Sequence, residues 1–253
     1  MKKRTTIAVA GKGGTGKTTF AAIAASILAK RAEGPLLAVD ADPNATLGRA
    51  LGLKTTKTVA DILEETKGLR EVPVGLSKPQ ILEYQLQQCL TEGSNIDFLE
   101  MGRPEGAECY CAANHILREF IKQLLANYRY IVIDNEAGME HLSRKTAEDI
   151  DVLVLVSDAS VIGVRSACSV MKLVRSLKLA IDRSALVINR APSVIPAPVL
   201  AEMDKSGLRL AGTVPHDEAI TTLDLQDKPV TAVQTSSPAY TAVEGILRTL
   251  GVD

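Results

Sequence analysis

A chain of 253 residues with 46% hydrophobic side chains suits one α/β domain with a sizeable core. Only 3% of the residues are aromatic and none is Trp, so aliphatic side chains must fill that core, and stacking on single-stranded nucleic acid finds little support. A net charge of −1, no long basic run and no apolar stretch near the roughly 20 residues of a membrane helix argue against nucleic-acid and membrane partners.

Met1 to Arg4 lead directly into a strand and show no signal peptide, which predicts a cytoplasmic protein. Thr5–Ala10 reads as a short buried strand. It runs into Gly11-Lys12-Gly13-Gly14-Thr15-Gly16-Lys17-Thr18-Thr19, which fits the P-loop pattern G-x-x-x-x-G-K-[ST]. From Thr18 to Arg31, the residues Phe20, Ile23, Ile27 and Leu28 recur at helical spacing, so the glycine-rich turn opens a helix. Glycines let the backbone point its N–H groups at a phosphate, and a helix N-terminus adds partial positive charge. Gly13, Gly14, Thr15, Gly16, Lys17, Thr18 and Thr19 are therefore the expected contacts of ATP or ADP. Lys17 should reach the β- and γ-phosphates, and the Thr18 hydroxyl should meet Mg²⁺.

A strand over Pro35–Val39 runs out into Asp40-Ala41-Asp42-Pro43-Asn44. Ligands of open α/β sheets sit at the carboxyl ends of strands, so both acids should face the nucleotide. The stretch 53–95 is the least regular, with weak helical patterns around Val59–Glu65 and Gln80–Leu90; it reads as an irregular insertion on a single domain spanning 1–253. Further strands are expected at Ile96–Met101, Tyr130–Ile133, Val152–Ser157, Ala185–Asn189 and Leu208–Val214, and further helices at Ala113–Asn127, Ile162–Leu177 and Tyr240–Leu250. This alternation predicts a P-loop NTPase domain of the α/β class. Its mostly parallel, twisted sheet of about seven strands should carry helices on both faces.

Tyr130-Ile131-Val132-Ile133-Asp134 is a mostly apolar run closed by an acid, the Walker B form, which places Asp134 on Mg²⁺. Gly138 follows shortly and would let the backbone approach the γ-phosphate. Asn189 ends a strand with an amide that can both donate to and accept from an adenine edge, and Arg190 beside it reads as a rim residue.

Of the four cysteines, Cys89 and Cys168 stand alone in helical stretches and read as small buried hydrophobes. Cys109 and Cys111 differ. Gly102, Pro104 and Gly106 place them in a loop, where two thiols one residue apart make poor core material but can share a metal. Two sulfurs do not complete a tetrahedral site. A two-fold homodimer would supply two pairs, suited to Zn²⁺ or Ni²⁺; His115 in the same protomer is the alternative third ligand, and two incidental loop cysteines are the plain reading.

With Lys12 after its first glycine, the P-loop resembles the deviant Walker A ATPases (pattern K-G-G-x-G-K-[ST]), which include MinD and ParA proteins and the nitrogenase iron protein. The resemblance implies that Lys12 reaches across a dimer interface to the partner's ATP. It also implies that Asp42 holds or deprotonates the attacking water and that Asp40 supports the Mg²⁺ shell. Pro215, in Val214-Pro215-His216-Asp217, would lie over the adenine. Where relatives often read D-x-P-A-G, this chain has Glu136 in place of Pro, which touches the coupling of the second switch rather than its phosphate contact. Together with Cys109-Tyr110-Cys111, the chain is similar over nearly its whole length to the carbon monoxide dehydrogenase maturation ATPases. That implies a homodimer that hydrolyses ATP and helps insert nickel into carbon monoxide dehydrogenase or acetyl-CoA synthase. Two other readings stand beside it: an iron–sulfur electron-transfer ATPase, and a positioning ATPase of the ParA or MinD kind.

Overall fold

The computed structural model describes residues 4–31, 33–68, 77–103, 111–136 and 149–252. Eight strands form one sheet: β1 (Thr5–Ala10), β2 (Leu36–Ala41), β3 (Leu90–Thr91), β4 (Asp97–Glu100), β5 (Tyr130–Asn135), β6 (Asp149–Ser157), β7 (Ala180–Ala191) and β8 (Leu210–Pro215). Their order is β3-β4-β2-β5-β1-β6-β7-β8. All neighbours run parallel except β3 and β4. The helices described are α1 (Lys17–Lys30), α2 (Leu47–Leu51), α3 (Val59–Gly68), α4 (Lys78–Gln87), α5 (Cys111–Ala126), α6 (Val161–Ser176), α7 (Ala197–Ser206), α8 (Glu218–Leu225) and α9 (Pro238–Thr249).

Strand residues split by parity between two cores, as a sheet covered on both faces requires. Ile131 and Ile133 of β5 join Ile62, Leu86, Leu117, Val164 and Val199, which belong to α3 through α7. Tyr130 and Val132 face the other way, among Ile23 of α1, Leu47 of α2 and Val243 of α9. Helix α1 is buried nearly all round, and its Ala21, Ala22, Ala24 and Ala25 have no exposed surface. Small side chains let this helix sit close to β1, so the turn between them is held by packing at both ends.

The expected α/β architecture is present, with one strand more than expected. The extra strand, β3, is two residues long and antiparallel, too short for any periodic signal. Among the described residues between 53 and 95, where an irregular insertion was expected, the structure has α3, α4 and β3, and Val59, Ile62, Leu63, Leu82, Leu86 and Cys89 enter the core. Apolar patterns this short look weak in sequence because each helix presents only two or three anchors. Helix α7 was hidden by Pro196 and Pro198, although Pro in the first helical turn is a start signal and Gly207 closes the helix in the left-handed region. Cys89 is buried as expected. Burial pushes its thiol up to about 12, with Asp61 adding to the shift. Cys168 is partly buried against the same core.

Candidate nucleotide site

The turn from β1 to α1 is fixed by close approaches that only glycine allows. At Gly11 (φ 150°) a Cβ would stand 2.1 Å from the backbone oxygen of Val156 on β6. At Gly16 (φ 88°) it would stand 2.1 Å from Nδ2 of Asn189. Around Gly13 and Gly14, by contrast, a Cβ would meet nothing within 4 Å, so the middle of the turn is an open cradle. Thr15 closes the turn on itself, its hydroxyl donating to the Lys12 carbonyl at 2.8 Å. The Lys12 side chain is exposed and has no ion pair among the described residues.

Four polar side chains converge beyond the turn. Lys17 is buried, with its Nζ 4.0 Å from Oδ2 of Asp42. The Thr18 hydroxyl donates to Oδ2 of Asp134 at 2.5 Å and lies 3.2 Å from the Thr46 hydroxyl. Among the described residues Oδ1 of Asp134 is buried without a partner. Burial therefore drives the Asp134 carboxyl up to about 7; Thr18 pulls it back and the nearby Asp40 pushes it further up. Burial likewise raises Asp40 to about 6, partly offset by two backbone N–H groups. Those groups are Asp42 N–H, donating to Oδ1 at 3.0 Å, and Leu47 N–H, donating to Oδ2 at 2.8 Å.

Asp40 is thus the frame of the loop that carries Asp42. Oδ1 of Asp42 accepts from both the backbone and the side chain of Asn44, an Asx turn. The next residue, Ala45, sits at φ 50°, where a non-glycine residue costs roughly 1 kcal/mol. Sequence reasoning missed Thr46, Ala45 and the start of α2 at Leu47. The Asp-Pro-Asn turn was visible, but a five-residue helix behind it leaves no pattern.

A cavity of about 350 Å³ lies between α1, the ends of β7 and β8, α8 and α9, where the base end of a nucleotide is expected. Thr19, Asn189, Arg190 and Pro215, all expected at the nucleotide, line it. Two of them also brace the P-loop: Asn189 Nδ2 donates to the Thr15 carbonyl at 2.8 Å, and Arg190 donates to the Gly14 carbonyl at 3.0 Å. Arg190 is therefore more than a rim residue, and the donor half of the Asn189 amide is engaged with the chain. Asp217 caps α8 through Ala219 N–H at 2.9 Å, and it also accepts from Ser237 and from Ala239 N–H at the start of α9. Against its burial, these donors hold its carboxyl below the usual range. One acid thereby ties together the two helices behind the cavity, a role the sequence reading did not find.

Gly138 and Cys109 lie outside the described residues; Cys111 opens α5, and the structure does not describe its side chain. Among the described residues no group of three or more His, Cys, Asp or Glu side chains is arranged to hold a metal alone. Among them, too, no helix is long and apolar enough to cross a membrane.

The profile of the CobQ/CobB/MinD/ParA nucleotide binding domain matches residues 6–230. An uncharacterised ATP-binding protein of Methanocaldococcus jannaschii is 38% identical over 243 residues, 95% of this chain and 96% of that one. The carbon monoxide dehydrogenase accessory protein CooC of Rhodospirillum rubrum is 30% identical over 233 residues, 86% of each chain. Among solved structures, a ParA family ATPase of Chlorobium tepidum TLS superposes with a TM-score of 0.72 at 22% identity over 100% of both chains, a likeness of fold.

Proposed function

The chain belongs to the CobQ/CobB/MinD/ParA family of nucleotide binding domains, and from that membership we propose a homodimeric MgATP hydrolase that serves nickel insertion into carbon monoxide dehydrogenase or acetyl-CoA synthase. The observation that carries the ATPase half is the convergence of Lys17, Asp42, Thr18 and Asp134 beyond an open glycine cradle. The donor set fits Mg²⁺, since it offers hard oxygens and one of them, Oδ1 of Asp134, is buried and without a partner among the described residues. Thr18 and Asp134 would hold the ion together with the substrate's phosphates, while Asp40 acts from behind by ordering the loop. Bound there, Mg²⁺ neutralises charge on the β- and γ-phosphate oxygens.

The backbone of Gly13 to Gly16 and the N-terminus of α1 receive the phosphates. An arriving γ-phosphate draws Lys17 away from Asp42, which frees Oδ2 to accept a hydrogen bond from the attacking water. The water oxygen bonds to the γ-phosphorus as the bond to the β–γ bridging oxygen breaks, the water's proton passes to Oδ2 of Asp42 and then to solvent, and ADP and phosphate leave. Lys12, exposed and without an ion pair among the described residues, reaches the ATP of the second protomer, and Gly138 carries the second switch. Asn189, Arg190, Thr19 and Pro215 hold the base and ribose end.

The cargo is Ni²⁺ or Zn²⁺, shared between two protomers at Cys109 and Cys111. Its support is the C-x-C sequence together with the 30% identity to an accessory protein of carbon monoxide dehydrogenase. Light scattering with and without Ni²⁺ and ATP, beside the Cys109→Ser, Cys111→Ser variant, tests it. Metal should produce a dimer with one ion per two chains, and the variant should stay monomeric. If the variant retains nickel, the cargo assignment is wrong. If ATP alone dimerises both proteins and metal changes nothing, the protein is a positioning ATPase.

A further inference from the structure

A second cavity, of about 200 Å³, opens farther along α1, between the end of α2, the turn joining β3 to β4 and the short 3₁₀ turn Val230–Ala232. Ser26 stands there eight residues after Thr18, about 12 Å along the helix and clear of the phosphate cradle. It is only 7% exposed, and among the described residues its hydroxyl has no hydrogen-bond partner. A buried serine in a helix can satisfy itself on the carbonyl one turn back; this one does not, and it lines the cavity instead.

Among the described residues Lys30, one turn further on, is the one charged side chain in the lining, and no acid lines the cavity. Lys30 is exposed, and its ammonium stands 5.0 Å from the centre of the Tyr240 ring, a contact that leaves the charge unneutralised. Leu51, Leu53 and Ile96 form apolar walls. Ser94, Asn95 and Thr231 also line the space, whose surface is mostly apolar; a cation and a free hydroxyl at one side of it match an anion with a short hydrocarbon tail. At roughly 30 Å³ for a water-sized group, the space suits about six or seven heavy atoms.

We propose that this cavity is a second ligand site, separate from the nucleotide site, and that it takes a small aliphatic carboxylate. The carboxylate lies on Lys30 and Ser26, and the hydrocarbon lies against Leu51, Leu53 and Ile96. The proposal depends on neither ATP hydrolysis nor metal delivery.

Methyl-resolved NMR of the full chain tests it. The protein is saturated with MgADP, so that an anion at the P-loop is not mistaken for one at this site, and is titrated with isovalerate. Inorganic phosphate and isoamyl alcohol serve as the tailless and uncharged controls. Saturable shifts are expected at the methyls of Leu51, Leu53 and Ile96. Lys30→Met should weaken binding about tenfold and Ser26→Ala about threefold, with spectra otherwise native. Both controls should bind more weakly than isovalerate. The proposal fails if those methyls show no saturable shift, if Lys30→Met binds as tightly as the parent, or if either control matches isovalerate.

Discussion

At the phosphate end of the candidate nucleotide site, one unbroken run from Gly11 to Thr18 supplies the cradle, the lysine and the hydroxyl, and the acids arrive from the ends of two adjacent strands on one side of β1: β5, which pairs with it, and β2 beyond. At the base end, the wall is drawn from α1, β7, β8, α8 and α9, so residues as distant as Thr19 and Val243 share one cavity. The difference follows from the physics of each ligand part. A phosphate needs several donors within hydrogen-bonding distance and in fixed directions, which a short glycine-rich turn ahead of a helix provides locally. A base needs mainly a shaped apolar space, which tertiary packing can assemble from any elements that reach it. Changes at the first end should therefore act steeply and through charge, and changes at the second should act shallowly and through binding.

The steepest expected effect is at Lys17. Lys17→Ala removes the cation that meets the transferring phosphoryl group, and steady-state phosphate release should fall by about 10² to 10³ in kcat. Next comes Gly16→Ala. The new Cβ would meet Nδ2 of Asn189 at 2.1 Å in a backbone conformation that L side chains resist, so MgADP affinity by calorimetry should drop at least about tenfold. If ADP binding survived unchanged, the cradle would not be the phosphate site.

Protons offer a third way to separate the two ends. Asp134 is pushed up to about 7 and Asp40 to about 6, both chiefly by burial. Between about pH 4 and pH 7 the unfolded chain has already released the Asp134 proton while the fold retains it. In this respect the nucleotide-free fold loses stability as the pH rises from about 4 to about 7, and the loss levels off above 7. Mg²⁺ with nucleotide requires the ionised carboxylate, so MgADP affinity should climb from pH 6 to pH 8, at most about tenfold per unit while one proton is displaced. Nucleotide binding measured without Mg²⁺ should lack most of that slope. Asp134→Asn should flatten it, and an unchanged slope in that variant would remove Asp134 from the ion's shell.

The same contrast explains how much could be read from the chain alone. Strand β1, the P-loop and α1 follow one another in sequence, and Thr18, Asp40, Asp42 and Asp134 all meet where spacing and strand ends place them. Two things at the phosphate end escaped the reading: Asp40 spends both oxygens on backbone N–H groups, and Thr46 approaches Thr18. Both depend on the path of the chain after Pro43, which no periodicity encodes. At the base end, Asn189, Arg190 and Pro215 were legible as residues at strand ends. That Asn189 and Arg190 also brace the carbonyls of Thr15 and Gly14 was not, because those contacts span more than 170 residues. The helices α7 and α8 were passed over for the same kind of reason. Each is short, one starts among prolines, and α8 buries no residue fully, so neither shows a strong apolar stripe.

Shallower effects follow at the base end. Asn189→Ala deletes one hydrogen bond to the Thr15 carbonyl and one polar group from the cavity, worth about 1 kcal/mol. The expected result is a KM for ATP raised roughly fivefold with kcat little changed; a collapse of kcat instead would make Asn189 part of the phosphate machinery.

The smallest effect should come from the ion pairs that join the two ends. Arg49 on α2 stands 2.7 Å from Asp227 and 3.6 Å from Asp224, and Asp224 lines the base cavity. The same helix starts at the residue after Thr46, beside Thr18, so it spans from the phosphate side to the base side. Arg49 is 61% exposed, and an exposed pair of this kind is worth about 0.5 kcal/mol. Arg49→Ala should therefore weaken MgADP binding about twofold in dilute buffer. Salt screens exposed pairs, so the difference between variant and parent should vanish at about 0.5 M salt. A loss that persisted at high salt would mean that α2 is held to α8 by packing rather than charge, and the two ends would then be one rigid unit instead of two parts linked at the surface.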